Sequence, residues 1–168
     1  MIYVGIDPGK KGGIVGLKSN GDILFKHVMP MQGKQVYTPE LVTYFMYPEE
    51  VKIMIEIPIP MPRQGVKGTA TTFLNYGVII GALEAEHYEW NGVEPKVWQA
   101  EMLDVNGKTT KDRSVRKAEI LWPDENFEIG KRAKKVSDGL TDAALIAEYF
   151  RRGNDHYRHD RRAMVWCK

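Results

Sequence analysis

The sequence predicts an α/β domain in which an antiparallel meander and later crossovers build one mixed sheet. Three observations predict it. The first 28 residues read as three short strands joined by tight turns. Beyond them, apolar strand-like runs alternate with segments of helical spacing. No linker, repeat or low-complexity tract interrupts the 168 residues, a length that suits one domain.

The opening MIYVGID alternates Ile2, Val4 and Ile6 against Tyr3 and Gly5, a strand ending at Asp7. Asp7-Pro8-Gly9 turns the chain. Residues 12–17 and 23–28 are the next strands, joined through the hairpin-type turn Ser19-Asn20-Gly21-Asp22. Thr38 reads as a helix N-cap, followed by Glu40 and by Leu41, Val42 and Phe45 on one face. VKIMIEI, residues 51–57, is a buried strand with a single acid, Glu56, and Pro58, Pro60 and Pro62 then forbid regular structure. Residues 69–88 have helical spacing, with Phe73, Tyr76, Gly77, Ile80 and Leu83 on or near one face. Gly77 and Gly81 would let that helix approach a neighbour closely, whether within the chain or in a second copy. A strand over 93–97 leads into Trp98, and two helices follow, over 111–121 and 137–151.

Composition excludes several classes. A 43% hydrophobic content with four Trp, eight Tyr and five Phe requires a packed interior, which excludes disorder as the main state. The longest apolar stretch, residues 76–83, is far short of the roughly 20 residues that a membrane span needs. The first residues lack a basic and apolar leader pattern, and Cys167 is the single cysteine, so a reducing cytoplasm is the expected location. The net charge is only +2, yet basic residues cluster: five in 108–117, four in 131–135 and five Arg in 151–162. Such clusters follow a phosphate backbone or simply solvate helix faces.

Four acids stand in apolar settings: Asp7 at a strand end, Glu56 inside a buried run, and Asp138 and Asp142 at the start of the last helix. Four residues on a helix rotate by about 400° and rise about 6 Å, so Asp138 and Asp142 share a face, Asp142 the deeper because Ala143, Ala144 and Ala147 permit close packing. Separately, Asp7 could initiate a turn, Glu56 could face solvent, Asp138 could be an N-cap, and Asp142 could complement the helix dipole. Together they point to one cause. Burying unpaired carboxylates costs several kcal/mol each, and a divalent cation held by oxygen ligands, Mg²⁺ above all, neutralises them. Two such ions roughly 3.5–4 Å apart suit phosphodiester hydrolysis.

MIYVGIDPGKKGGIVGL, then IEIP, then SDGLTDAALIAEYFRR resemble the RuvC-like Holliday junction resolvases of the retroviral integrase/ribonuclease H superfamily, phage-encoded members in particular. PKVWQAEML followed by KDRSVRKAEILWP is similar to the same proteins. The resemblance covers residues 1 to about 150. It implies a ribonuclease H-like mixed five-stranded sheet flanked by helices, with a nuclease domain over 1–152 and a basic tail over 153–168. It also implies a homodimer and Mg²⁺-dependent nicking of four-way DNA junctions, with Mn²⁺ as a substitute; the helix from Thr69, with Phe73, Tyr76, Gly77 and Ile80, is the candidate for the dimer interface or, equally, for packing within the chain.

By matched position, Asp7, Glu56 and Asp142 become metal ligands and catalytic residues, and Asp138 completes the quartet. Asp7 would bridge two ions, Glu56 serving one and Asp142 the other. The sequence departs from the family in spacing its last two acids by four, where many members use three; Gly139 holds the nearer position. DNA contacts are expected from Arg63, Lys67, Lys108, Lys111, Arg116, Lys117, Lys131, Arg132, Lys134 and Lys135, mostly to phosphate. Met61 and Arg63 are candidates for insertion at the branch point, and Ser114 for a phosphate contact or ordinary helix exposure. His156 and His159 are tail residues. Three other readings share some of these features: an actin-like nucleotide-binding fold, for which 168 residues are too few, a catalytically silent binder of branched DNA, and a ribonuclease H acting on RNA–DNA hybrids.

Overall fold

The computed structural model describes residues 1–60, 65–130 and 135–154. A five-stranded sheet forms its centre, its strands ordered Ile23–Val28, Gly13–Lys18, Ile2–Ile6, Val51–Glu56 and Trp90–Val93. Strands β1 (Ile2–Ile6), β2 (Gly13–Lys18) and β3 (Ile23–Val28) form the antiparallel meander, and β6 (Val51–Glu56) and β7 (Trp90–Val93) run parallel to β1. This is the mixed sheet the sequence predicts. Two small antiparallel pairs, β4 (Met31–Gln32) with β5 (Gln35–Val36) and β8 (Glu128–Ile129) with β9 (Lys135–Val136), lie outside it.

Strand alternation divides the core into two layers. Ile2, Val4, Ile6, Ile14, Ile53 and Ile55 face α1 (Thr38–Thr43) and α2 (Val66–Ala85). Val15, Leu17 and Met54 face α3 (Pro95–Met102), α4 (Thr110–Leu121) and α5 (Asp138–Arg151). Helix α5 is buried along nearly its whole length because it lies directly on β1 and β2. A Cβ at Gly5 would collide with the backbone of Ala143 and Ala147, so the Gly5 and alanine pair is what lets helix and sheet touch. Among the described residues, no helix is long and apolar enough to cross a membrane.

The turn at Ser19–Asp22 forms as predicted, with Gly21 at φ 95° and the Asn20 side-chain amide donating to Asp22 at 2.7 Å. Several boundaries differ from the sequence expectation. Thr38 is the first residue of α1, whose N-cap is Tyr37 without a side-chain cap, and Pro39 follows it in the first turn, where its fixed φ suits the helix. Helix α2 starts three residues before Thr69, its Thr69, Thr71 and Thr72 hydroxyls bonding back to carbonyls one turn earlier. It ends at Ala85, where His87 takes φ 62° and Tyr88 N–H returns to the Leu83 carbonyl (2.9 Å). Its buried line is Asn75, Ile79 and Leu83; Phe73 and Gly77 lie exposed instead. The expected strand over 93–97 is corrected most sharply. Strand β7 stops at Val93, and Pro95, whose ring presets a helical φ, opens α3 with Trp98 in its first turns.

Candidate active site

The site begins with strand register. Gly5 pairs with Met54 and Ile6 with Ile55, so one further step along the two parallel strands sets Asp7 beside Glu56. Alternation places both on the face of Gly5 and Met54, the face that α5 covers. They stand at the C-terminal ends of adjacent parallel strands, where open α/β sheets commonly hold their ligands. Asp7 Oδ1 accepts the Gly9 N–H at 3.0 Å, so the turn-initiating role and the site role coexist in one side chain. Glu56 Oε2 accepts the Trp98 indole N–H at 2.7 Å.

Glycines seat the N-terminus of α5 against this corner. Gly12 and Gly139 form an isolated parallel bridge. A Cβ on Gly139 would lie 2.6 Å from the Gly12 Cα and closer still to the Lys11 carbonyl. No side chain fits there, which explains why the acid nearest Asp142 stands four residues away rather than three. The N-cap is Ser137, whose hydroxyl accepts from Leu140 N–H at 3.3 Å, and not Asp138.

Helix α4 supplies a partner to both Asp138 and Asp142 of α5. Lys111 Nζ donates to Asp138. Ser114 is fully buried; its hydroxyl donates to Asp142 and meets the Thr141 hydroxyl at 3.0 Å. Neither reading of Ser114, phosphate contact or exposed helix position, describes this. The Ser114 and Trp98 contacts were missed by sequence reasoning; the signal available for Ser114 was its i+3 spacing from Lys111 on a short helix facing the acid-bearing one.

Burial and mutual repulsion shift the carboxylates upward. Burial chiefly, then the charge of Asp7, pushes Glu56 up to about 8, against the pull of the Trp98 donor. Asp142 rises to about 7 through burial, opposed by the Ser114 hydrogen bond and reinforced by Asp7 and Asp138. Asp7 rises to about 6 through burial, opposed by the Gly9 N–H. Lys111 is raised by its hydrogen bond to Asp138.

As placed, no three of the described Asp, Glu, His or Cys side chains close around one point; each of the four acids meets its own donor. The donor set nonetheless fits a hard divalent cation. It is all oxygen, its carboxylates act electrostatically on one another, and burial penalises their charge, which a bound cation would offset.

The basic residues divide. Lys67, Lys108, Lys111 and Arg116 are exposed, the last three on α4 or the loop before it. Lys117 is corrected: it is buried and pairs with Asp104 at 2.5 Å, since its position on α4 faces inward beside Ala118. Lys135 lies in β9. Met61, Arg63, Lys131, Arg132, Lys134, His156, His159 and the tail beyond residue 154 lie outside the described residues, as does the side chain of Lys135.

No protein-family model and no curated protein matches the chain. Solved structures do. Thermus thermophilus RuvC in complex with a Holliday junction substrate superposes with a TM-score of 0.60 at 16% identity, covering 91% of this chain and 97% of that one. A second structure of Thermus thermophilus RuvC gives 0.57 at 17% identity with the same coverage. The fold is thus the ribonuclease H-like one that the resemblance implied.

Proposed function

We propose that this protein is a metal-dependent endodeoxyribonuclease that nicks four-way DNA junctions by phosphodiester hydrolysis. The observation that carries the reading is the meeting of Asp7 and Glu56, on adjacent strand ends, with Asp142 and Asp138 on the helix seated over them. That the same fold occurs in a protein solved on a Holliday junction supports the choice of substrate.

Asp7, Glu56 and Asp142 would hold Mg²⁺, in two ions, with Mn²⁺ able to replace it, and Asp138 would join them as Lys111 gives it up. When bound, such ions generate a nucleophilic hydroxide from water and stabilise the leaving oxygen of a phosphodiester. The chain's own residues do the rest. Ser114 and Trp98 hold two of the carboxylates in place. Lys111, about three-quarters exposed, grips Asp138 only weakly, since an exposed ion pair contributes about 0–1 kcal/mol, and its ammonium can pass to a DNA phosphate. Lys67, Lys108 and Arg116 position the backbone. The outer face of α2 carries exposed Val66, Phe73 and Leu74 beside Gly77 and Gly81, which have open space around them, a surface suited to a second copy and so to paired nicks on opposing strands.

The test is incubation with Mg²⁺ and a labelled four-way junction, alongside linear duplex, flap DNA and an RNA–DNA hybrid, with Asp7→Asn as control. Symmetric junction nicks, lost with EDTA and in the variant, are expected. Cleavage of the hybrid alone would keep the site and replace the substrate; tight junction binding without cleavage would make the protein a silent binder.

A further inference from the structure

We infer that Trp98 is a positioning residue for this site: its indole N–H fixes the orientation of the Glu56 carboxylate and so sets how tightly the chain holds a divalent cation. The inference rests on the metal reading above.

Trp98 has no exposed surface and packs in the core layer beneath α5 with Met54, Val93 and Met102. Apolar bulk alone could come from Phe or Leu. A buried indole N–H needs an acceptor, and this one lies 2.7 Å from Glu56 Oε2. The contrast is Trp122, whose N–H donates to the backbone carbonyl of Gly21, far from the acids. The path from strand to indole is short and stiff. Val93 pairs with Glu56, Ile57 N–H bonds the Val93 carbonyl at 2.8 Å, and Pro95 starts α3 two residues later. Trp98 therefore sits in the first turns of a helix anchored to the strand beside its acceptor.

Glutamate has three rotatable side-chain bonds, and Glu56 ends its strand where the chain leaves for a proline-rich segment. Without a partner its carboxylate would sample several orientations beside Asp7. With Oε2 held by the indole, the group keeps one orientation and its second oxygen for a cation. Groups that hydrogen-bond a metal ligand commonly account for 10–100-fold in affinity.

The experiment measures Mn²⁺ binding to the DNA-free protein by calorimetry, in wild type, Trp98→Phe and Met102→Leu, well below the unfolding temperature of each. Met102→Leu perturbs the same core without touching a polar atom. Should Trp98→Phe fail to fold, 3-benzothienylalanine placed at position 98 keeps the indole shape and replaces N–H by sulfur. The expected result is a 10–100-fold weaker Mn²⁺ dissociation constant for the variants lacking N–H, with Met102→Leu within about twofold of wild type. Unchanged Mn²⁺ affinity in a folded variant lacking the N–H overturns the positioning role alone. Equal weakening by Met102→Leu also overturns it, in favour of packing. A wild-type protein that binds no Mn²⁺ overturns the metal reading itself, and this assignment with it.

Discussion

Replacing Glu56 by Gln should stabilise the metal-free protein at alkaline pH and leave it unchanged at pH 4.5. Glu56 is held at about 8 in the folded chain against an ordinary 4.5. Between those values the folded chain keeps a proton that the unfolded chain releases. The stability linked to that proton is therefore fully present below pH 4.5 and is lost as pH rises through about 8. At about 1.4 kcal/mol per pH unit the interval sets a ceiling of about 5 kcal/mol. Asp7 and Asp142 repel the same charge and share its titration, so roughly half of the ceiling, about 2.5 kcal/mol, belongs to Glu56 alone. Gln removes the charge while its side-chain oxygen still accepts the Trp98 N–H. The assay is urea denaturation in EDTA at half-unit steps from pH 4.5 to 9. Wild type should weaken across the range and Glu56→Gln should weaken less. Adding Mg²⁺ at ten times its dissociation constant should restore about 1.4 kcal/mol to wild type at pH 8.5. Wild-type stability that is flat or rises from pH 4.5 to 9 in EDTA would refute the reasoning, because it would mean the carboxylates carry no burial penalty.

Other substitutions probe the supports of the site. Gly139→Ala places a methyl against backbone on two sides, so α5 must lift from β2; a loss of about 2 kcal/mol together with junction nicking is expected, and wild-type stability would mean the bridge to Gly12 does not seat the helix. Ser114→Ala removes the hydroxyl that donates to half-buried Asp142 and should cost about 1–3 kcal/mol in urea melts at pH 8. Lys117→Met should leave junction affinity in EDTA within about twofold, since the ammonium faces Asp104, whereas Lys108→Ala should weaken binding and reduce the salt-dependence slope by about one; equal effects would return Lys117 to the DNA surface.

The sheet was legible because its signals are local: alternation in residues 2–6, the Asn20-Gly21 turn, and a dense apolar run containing one acid. The acids were legible for the same reason, since each breaks an apolar pattern. What could not be read was which residue faces them. Lys117 and Ser114 lie three apart on α4, one drawn to Asp104 and the other to Asp142, and only the docking of α4 against α5 decides the assignment. Trp98 was hidden by a wrong period: Val93 and Val97 imitate alternation, while Pro95 between them is a helix start whose meaning depends on the strand ending at Val93. The altered acid spacing follows the same logic. Gly139 read alone is a small residue where many RuvC-like resolvases place an acid. In the fold it is the contact that brings Asp138 and Asp142 down onto Asp7, and an acid at 139 would push away the helix that carries its partner.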